Sequence, residues 1–248
     1  MNEGKRRRRN TIAVKEDIYD AVGSVLQKYG FSKLGINLVA EEAGVDKNVI
    51  YRNFTDFNTL LEEYVEKQDF WLRAIKELGK VKVENHRELT KQVLTEQFKT
   101  IYSNKELQQV LVWELGDKDN ITTSLAIKRE VLSKGLIDQY KPLLDDFGVN
   151  FNNIAAILIA GIYYLILHKD KSTFCNIDIT KKKDREDFLK TIEWLVDLIF
   201  DKREALGQTE QIAINAHKEG IDIETISKIT KLPTEKIKCI IYKQNTLS

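Results

Sequence analysis

The sequence predicts an all-α protein built from a small helix-turn-helix head and a larger helical body. Apolar residues recur at helical spacing along most of the chain, and only two prolines, Pro142 and Pro233, interrupt it. Hydrophobic residues make up 42% of the 248 residues, which is enough to build the cores of two modest domains. We therefore expect a three-helix head over residues 11–57 and a body over residues 58–206.

A basic arm, residues 1–10, precedes the first predicted helix. It contains the consecutive cationic residues Lys5, Arg6, Arg7, Arg8 and Arg9. The whole chain has a formal net charge of +1, so any attraction to nucleic acid must be local. From this position a flexible segment can enter a minor groove or lie along phosphates. The alternative is a solvated tail, as many charge runs are.

The head begins with a helix predicted from about Val14 to Tyr29, whose apolar stripe packs against the two helices that follow. Those two helices form a helix-turn-helix over residues 35–54. Gly44 lies where the first of them must end in a left-handed residue, and Ala40 is small where the second helix crosses it. The apolar period on the two sides of the turn is carried by Leu38, Val39, Ala43, Val49, Ile50 and Phe54.

The outer face of this helix-turn-helix is polar. Its residues are Lys47, Asn48, Tyr51, Arg52 and Asn53, whose side chains can reach phosphates and base edges in a major groove. Asn37, at the start of the preceding helix, is a further candidate for a DNA contact. Tyr51 can also pack against the first helix, which is compatible with a phosphate contact through its hydroxyl.

The order of residues in the first quarter of the chain carries a family resemblance. It runs through Ile18, Ala21, Tyr29-Gly30-Phe31, the segment Val39 to Val45, Ile50-Tyr51, Phe54 and Leu60-Leu61. This order resembles the tetracycline-repressor (TetR) family. The resemblance implies a homodimer that binds double-stranded DNA, with Tyr51 as the aromatic residue that contacts phosphate.

The chain departs from the family pattern at two places. Phe57 stands where family members usually carry lysine, so the phosphate contact implied there has no lysine to make it. Leu34-Gly35 stands where hydroxyl residues are common.

Helical periodicity continues through the body. A long fourth helix is predicted from about Asp56 to Leu78, and it should join the head to the body. Further helices are predicted over residues 87–102, 107–115, 121–147 and 151–168, and the last is apolar nearly all round, as a central helix would be. A final stripe over residues 188–199 precedes Gly207, which is predicted to end that helix.

Two late helices offer a surface for a second copy of the chain. Small residues on the helix over residues 151–168 permit close approach, and the later stripe is strongly apolar. The candidate interface residues are Ala156, Ala160, Phe188, Ile192, Leu195 and Ile199. The alternative is that both stripes are ordinary core of a monomer.

Aromatic and polar residues of the body suggest a pocket for a small molecule. The candidates are Phe98, Tyr102, Trp113, Glu114, Tyr140 and Tyr163. Each aromatic residue could instead be packed in the core. Glu114 follows an indole on an otherwise apolar helix, so it needs solvent or a partner, and Arg129 is a candidate partner.

Other classes of protein fit the sequence poorly. His86, His168 and His217 have no spacing typical of a metal site or a catalytic base, and no glycine-rich loop follows a strand, so we expect no enzyme, no metal and no cofactor. Cys175 and Cys239 lie far apart, as in a reducing cytoplasm. The apolar run from Ile154 to Leu167 is shorter than the roughly 20 residues of a membrane span, so we expect no membrane partner and a cytoplasmic location.

A helical extension over residues 207–248 follows the body. Its apolar residues recur around Lys231-Leu232-Pro233, and the segment looks like a second helix-turn-helix, similar to small motifs that end some transposon-related proteins. From Gly207 onward the chain contains six lysines and five acidic residues, so the extension is not a strongly basic segment. The alternative is a helical hairpin that covers the body or the dimer.

The function expected from these features is a ligand-responsive transcriptional regulator that binds a palindromic operator as a homodimer, with repression as the expected outcome. A small-molecule effector of unknown identity would act through the body. The alternative is a nucleoid-associated or structural DNA-binding protein that uses the same head without a small-molecule switch.

Overall fold

The computed structural model describes residues 2–69, 72, 74, 85–116, 120–144 and 150–247. Within these residues the chain is almost entirely helical, and the one β feature is an isolated bridge between Phe174 and Ile177. The helices are α1 Asn2–Tyr29, α2 Ile36–Glu42, α3 Lys47–Asn53, α4 Phe57–Gln68, α5 His86–Ser103, α6 Lys105–Gly116, α7 Asn120–Leu144, α8 Phe151–His168, α9 Lys182–Lys218, α10 Ile223–Thr230 and α11 Thr234–Leu247.

Three helix boundaries differ from those expected. Helix α1 begins at Asn2, so the backbone of the basic arm continues the first helix. Helix α4 ends at Gln68, and most of its predicted extension lies outside the described residues. The prediction that Gly207 ends a helix is wrong, because α9 runs through it to Lys218.

The head core forms where α1 crosses the helix-turn-helix. Ile18, Val22, Val39 and Ile50 are fully buried there, and the rings of Tyr19 and Phe54 meet edge to face at 5.6 Å. Burial of such side chains contributes about 1.5–3 kcal/mol each. The periodic apolar residues of the sequence are therefore the residues that hold α2 and α3 in place.

The head is joined to the body through Glu106 at the start of α6. Its carboxylate accepts hydrogen bonds from Tyr64 Oη at 2.7 Å and from Gln68 Nε2 at 2.8 Å, both on α4. Burial and the hydrogen bond to Glu106 raise the pKa of Tyr64 above its ordinary value. Gly23 on α1 makes room for this carboxylate, because a Cβ at Gly23 would lie 2.5 Å from Glu106 Cδ.

The body core is formed mainly by α5, α6, α8 and α9. Its fully buried residues include Ile101, Ile162 and Ile166, and Phe98 lies among them. Helices α5 and α9 are also joined by Arg87, which donates to Asp201 at 2.7 Å and to Glu204 at 2.8 Å.

The C-terminal extension has an apolar cluster of its own. Ala213 on α9, Ile226 on α10, and Leu232 and Ile237 around the start of α11 are buried together. The extension was expected either to form a second helix-turn-helix or to cover the body or the dimer. Within the chain its last two helices pack on the last part of α9, whose continuation past Gly207 supplies the supporting surface.

Candidate nucleic-acid interface and internal cavity

The helix-turn-helix has the geometry that its sequence predicts. Gly44 is left-handed with φ 63°, and Val45 N donates to Ala40 O at 3.0 Å across the corner. A Cβ at Gly44 would meet nothing within 4 Å, so the requirement for glycine is one of backbone dihedral and not of space. Asp46 caps α3, since its side chain accepts a hydrogen bond from Asn48 N at 2.7 Å.

Most of the head residues proposed to contact DNA are exposed. Lys47, Asn48 and Arg52 are exposed on α3, Tyr51 is 50% exposed, and Asn37 is exposed at the start of α2. Asn53 differs from them, because it is half-buried and its amide donates to Val49 O at 2.8 Å. The side chains of Arg6, Arg7, Arg8 and Arg9 lie outside the described part of the structure.

The two departures from the expected pattern have local explanations. Phe57 is partly buried and packs against the head core, so it contributes to folding at a position where a lysine would contact phosphate. Gly35 is the N-cap residue of α2 and provides no side-chain cap. A hydroxyl at this position would accept a hydrogen bond from the first turn of the helix.

A partly open cavity of about 570 Å³ lies in the body. It is bordered by α5 through α9, and its lining is mainly apolar, with Leu158, Ile159 and Phe200 among the residues. Glu114 and Arg129 provide charged groups in its wall. A mainly apolar cavity with a few polar groups is typical of a site for a small organic molecule.

Arg129 connects the cavity wall to the end of α4. Its guanidinium binds both carboxylate oxygens of Glu114, and its Nε donates to Asp69 Oδ2 at 2.6 Å. Asp69 is 2% exposed and also accepts from Leu72 N at 2.8 Å. Burial opposes the charge of Arg129, but the hydrogen bond to Glu114 and the charges of Asp69 and Glu114 raise its pKa above the ordinary value. The pairing of Glu114 with Arg129 was expected, whereas that with Asp69 was not.

Of the six residues proposed to contact a small molecule, Glu114 and Tyr163 line this cavity. Phe98 and Tyr102 are not among its lining residues; they stack on each other at 5.9 Å against the body core. Trp113 is 5% exposed, belongs to the head core and stacks on Phe31 at 6.3 Å. The side chain of Tyr140 lies outside the described part of the structure.

The residues proposed for a dimer interface do not share one face. Ala156 and Ala160 are exposed on α8, but Ile192 is 2% exposed and lies in the body core. Phe188 packs against that core, Ile199 lines the cavity, and Leu195 is partly buried. Ile157 on α8 and Trp194 and Leu198 on α9 were not among the candidates, and they are 72%, 59% and 49% exposed.

Helix α8 is long and apolar enough to cross a membrane, and among the described residues it is the one helix of this kind. A core helix of a globular body can have the same length and composition, and Ile162, Leu165 and Ile166 are buried against the body. Other apolar residues of this helix, Ile157 and Tyr164 included, are exposed in the single chain. The described residues contain no group of three or more His, Cys, Asp and Glu side chains placed to hold a metal ion.

A three-helix head with an exposed polar recognition helix, joined to a helical body, defines a DNA-binding transcription regulator of the helix-turn-helix class. Residues 18–64 match the family model of bacterial regulatory proteins of the tetR family. This match identifies residues 18–64 as a DNA-binding domain of the TetR type.

Solved structures share the fold. A TetR family transcription regulator from Marinobacter aquaeolei VT8 is 17% identical with a TM-score of 0.55, over 79% of this chain and 97% of that one. A candidate fatty acid metabolism regulator from Clostridium perfringens is 19% identical with a TM-score of 0.51, over 71% of this chain and 96% of that one. No curated protein sequence matches the chain at a significant level.

Proposed function

We propose that this chain is a homodimeric repressor whose affinity for a palindromic operator falls when a mainly apolar small molecule occupies the cavity. The observation that carries the proposal is that α6 and α7 contribute both to the head core and to the cavity wall. Val110 and Trp113 on α6 and Leu125 on α7 belong to the head core, whereas Glu114 and Arg129 line the cavity.

The shared helices provide a route for coupling. An occupant that displaces α6 or α7 must also displace residues packed against α1 and α4, because packed interiors shift between discrete arrangements. The hydrogen bond of Arg129 to Asp69 extends this link to the C-cap of α4. A ligand that binds one arrangement better than the other shifts the population of the DNA-binding state.

A second copy of the chain would bury the exposed apolar residues of α8 and α9. Ile157 and Tyr164 on α8 and Trp194 and Leu198 on α9 are each between 48% and 72% exposed. Exposed apolar surface of this kind is typical of an interface between proteins. We infer that a cytoplasmic dimer presents two heads to a symmetric site, with the residues of the basic arm along the phosphates.

Ala160→Arg is expected to shift the protein from a dimer toward the 28.7 kDa single chain. Ala160 is exposed between Ile157 and Tyr164, so an arginine there would carry an unpaired charge into a buried contact. The measurement is light scattering coupled to size exclusion. Gln92→Arg, at an exposed position of α5, which contributes no residue to the proposed interface, is the matched control and should remain dimeric. A dimeric, folded Ala160→Arg protein would place the interface elsewhere.

The function itself is tested by selecting duplexes from a random pool and then measuring their affinity. The wild-type protein should enrich a palindrome whose half-sites lie about one helical turn, or a multiple of it, apart, with a dissociation constant of about 10⁻⁸ M or tighter. Ala155→Phe places a ring in the cavity and should lower that affinity, whereas Ala205→Phe should not.

A nucleoid-associated or structural DNA-binding protein would give a different result. It would enrich no palindrome, and Ala155→Phe would bind DNA like the wild type. Thermal denaturation of both phenylalanine variants separates a change in coupling from a loss of folding.

A further inference from the structure

The C-terminal unit repeats the geometry of the DNA-binding head. Helix α10, the turn Lys231-Leu232-Pro233 and helix α11 form a second helix-turn-helix, supported by the last part of α9 as the first is supported by α1. We propose that this unit, residues 206–247, is a second site for double-stranded DNA. The proposal goes beyond the operator-binding role of the head and does not depend on it.

The head motif and the C-terminal motif align without an insertion or deletion when 187 is added to each residue number of the head motif. Val39 and Ile226, and also Ile50 and Ile237, are fully buried in both units. The left-handed residue of the turn falls at corresponding places, with φ 63° in the head and 62° in the C-terminal unit. The corresponding pairs, head residue first, are Gly35 and Asp222, Val39 and Ile226, Gly44 and Lys231, Val45 and Leu232, and Ile50 and Ile237.

The turn of the C-terminal motif is held by side-chain hydroxyls where the head uses glycine. A left-handed conformation costs a non-glycine residue such as Lys231 roughly 1–2 kcal/mol. Ser227 Oγ donates to Leu232 O at 2.6 Å, and Lys231 N donates to Ser227 O at 2.9 Å. Thr230 Oγ1 accepts from Leu232 N at 3.3 Å. These bonds hold the two helices at a fixed corner although no glycine is present.

The charge of the C-terminal motif is more favourable for DNA than that of the head motif. Residues 35–54 contain two basic and three acidic residues, whereas residues 222–241 contain four lysines and three acidic residues. Lys236 pairs with Glu210 on α9 at 3.1 Å. Lys228, Lys231 and Lys238 are exposed, and Lys238 pairs with Glu235 one turn earlier at 2.8 Å. Tyr242, on the same helix as Lys238, is 71% exposed. The extension counted from Gly207 has the same net charge of +1, because two further lysines are balanced by two further acidic residues.

The C-terminal unit lies at the end of the body remote from the head. Arg185, near the start of α9, donates to Tyr102 Oη at 2.9 Å, close to Asn104, which donates to Gln68 of the head connection at 3.1 Å. Glu204, farther along α9, instead binds Arg87 at the opposite end of α5. A duplex held by the C-terminal unit is therefore a different segment from the duplex held by the head, and one protein can bridge the two.

The two cysteines provide a direct test on the unaltered protein. Cys239 corresponds to Arg52 in the alignment of the two motifs, and both Cys239 and Cys175 are exposed. Saturating random-sequence duplex DNA should slow the reaction of Cys239 with a maleimide at least about fivefold, while Cys175, in the loop after α8, reacts at an unchanged rate. Equal rates for Cys239 with and without DNA would overturn the proposal.

Affinity measurements test the same site by charge. In a full-length background with Lys47→Glu and Tyr51→Ala in the head, Lys231→Gln with Lys238→Gln should lower affinity for a random 20-base-pair duplex about tenfold or more. The slope of log affinity against log salt should fall by about 0.9 for each lost phosphate contact. Lys183→Gln with Lys190→Gln, two exposed lysines near the start of α9 and outside this unit, is the matched control and should change neither value.

Two further outcomes would overturn the proposal. The first is that the C-terminal and control variants bind duplex equally well. The second is that the background protein binds an RNA hairpin more tightly than duplex DNA, which would assign the unit to RNA. Lys231→Arg with Lys238→Arg keeps both charges and should restore binding. Circular dichroism and thermal denaturation confirm that each variant is folded.

Bridging has its own measurement. Wild-type protein bound to an immobilised operator should capture a second, fluorescent duplex, and the variant with Lys231→Gln and Lys238→Gln should not. Capture of the second duplex by both proteins would assign bridging to the head alone.

Discussion

Lys47→Glu in the full-length protein is expected to bind the selected palindrome at least about 100-fold more weakly than the wild type, which corresponds to about 2.7 kcal/mol. Lys47 is exposed at the first position of α3, where a major groove would receive it. The variant places a carboxylate against phosphates, and in a dimer both heads carry this repulsive charge. The measurement is fluorescence anisotropy at one fixed salt concentration, because affinity for DNA depends on salt.

Two substitutions of Tyr51 distinguish a hydroxyl contact with phosphate from a packing role of the ring. Tyr51→Ala should weaken binding strongly, and Tyr51→Phe should weaken it less but measurably if the hydroxyl contacts a phosphate. Lys134→Glu, an exposed charge reversal on α7, is the control and should bind like the wild type. Wild-type affinity in both Lys47→Glu and Tyr51→Ala, with unchanged circular dichroism, would show that the proposed recognition face is wrong.

Arg129→Met should destabilise the protein by about 3–5 kcal/mol, because it removes the partner of a buried charge. The side chain of Asp69 is 3% exposed and that of Arg129 is 13% exposed, so little water can replace the lost hydrogen bonds. Lys128→Met is the matched control, since the neighbouring Lys128 pairs with Glu66 at the surface, where an ion pair contributes about 0–1 kcal/mol. Urea denaturation of both variants measures the difference.

A double variant tests the cause. Adding Asp69→Asn to Arg129→Met removes the stranded charge and should recover part of the lost stability. Equal stability of Arg129→Met and Lys128→Met would show that the link between the cavity wall and α4 does not contribute to the free energy of unfolding. This result would contradict the proposed coupling through Asp69.

The head could be predicted from sequence because its constraints are local. Gly44 provides the left-handed residue of the turn, Asp46 caps α3, and Val39 and Ile50 are buried. Each of these roles can be recognised from a few neighbouring residues in the sequence. The first and last residues of α8 could be predicted in the same way, because Asn150 caps the helix and its apolar run ends at His168.

The body was harder to predict because its features depend on distant contacts. Gly207 costs a helix about 1 kcal/mol relative to alanine, yet α9 continues through it because Ala213 is buried against α10 and α11. Residues 188–200 of α9 place apolar side chains on more than one face of the helix, so periodicity cannot tell that Ile192 faces inward and Trp194 outward. Trp113 likewise looked like a pocket residue, but the packing of the head on α6 buries it elsewhere.

The length of α9 has a consequence for how this protein can change in evolution. The helix is unbroken for 37 residues, about 55 Å, and belongs to the body at one end and to the C-terminal unit at the other. Each residue inserted or deleted between the two ends would turn the far unit by about 100° and move it by about 1.5 Å. Length changes near Gly207 are therefore restricted to steps of about seven residues, two turns, if the direction of the C-terminal unit is to be kept. Helix α9 therefore fixes the rotation of the C-terminal unit relative to the body.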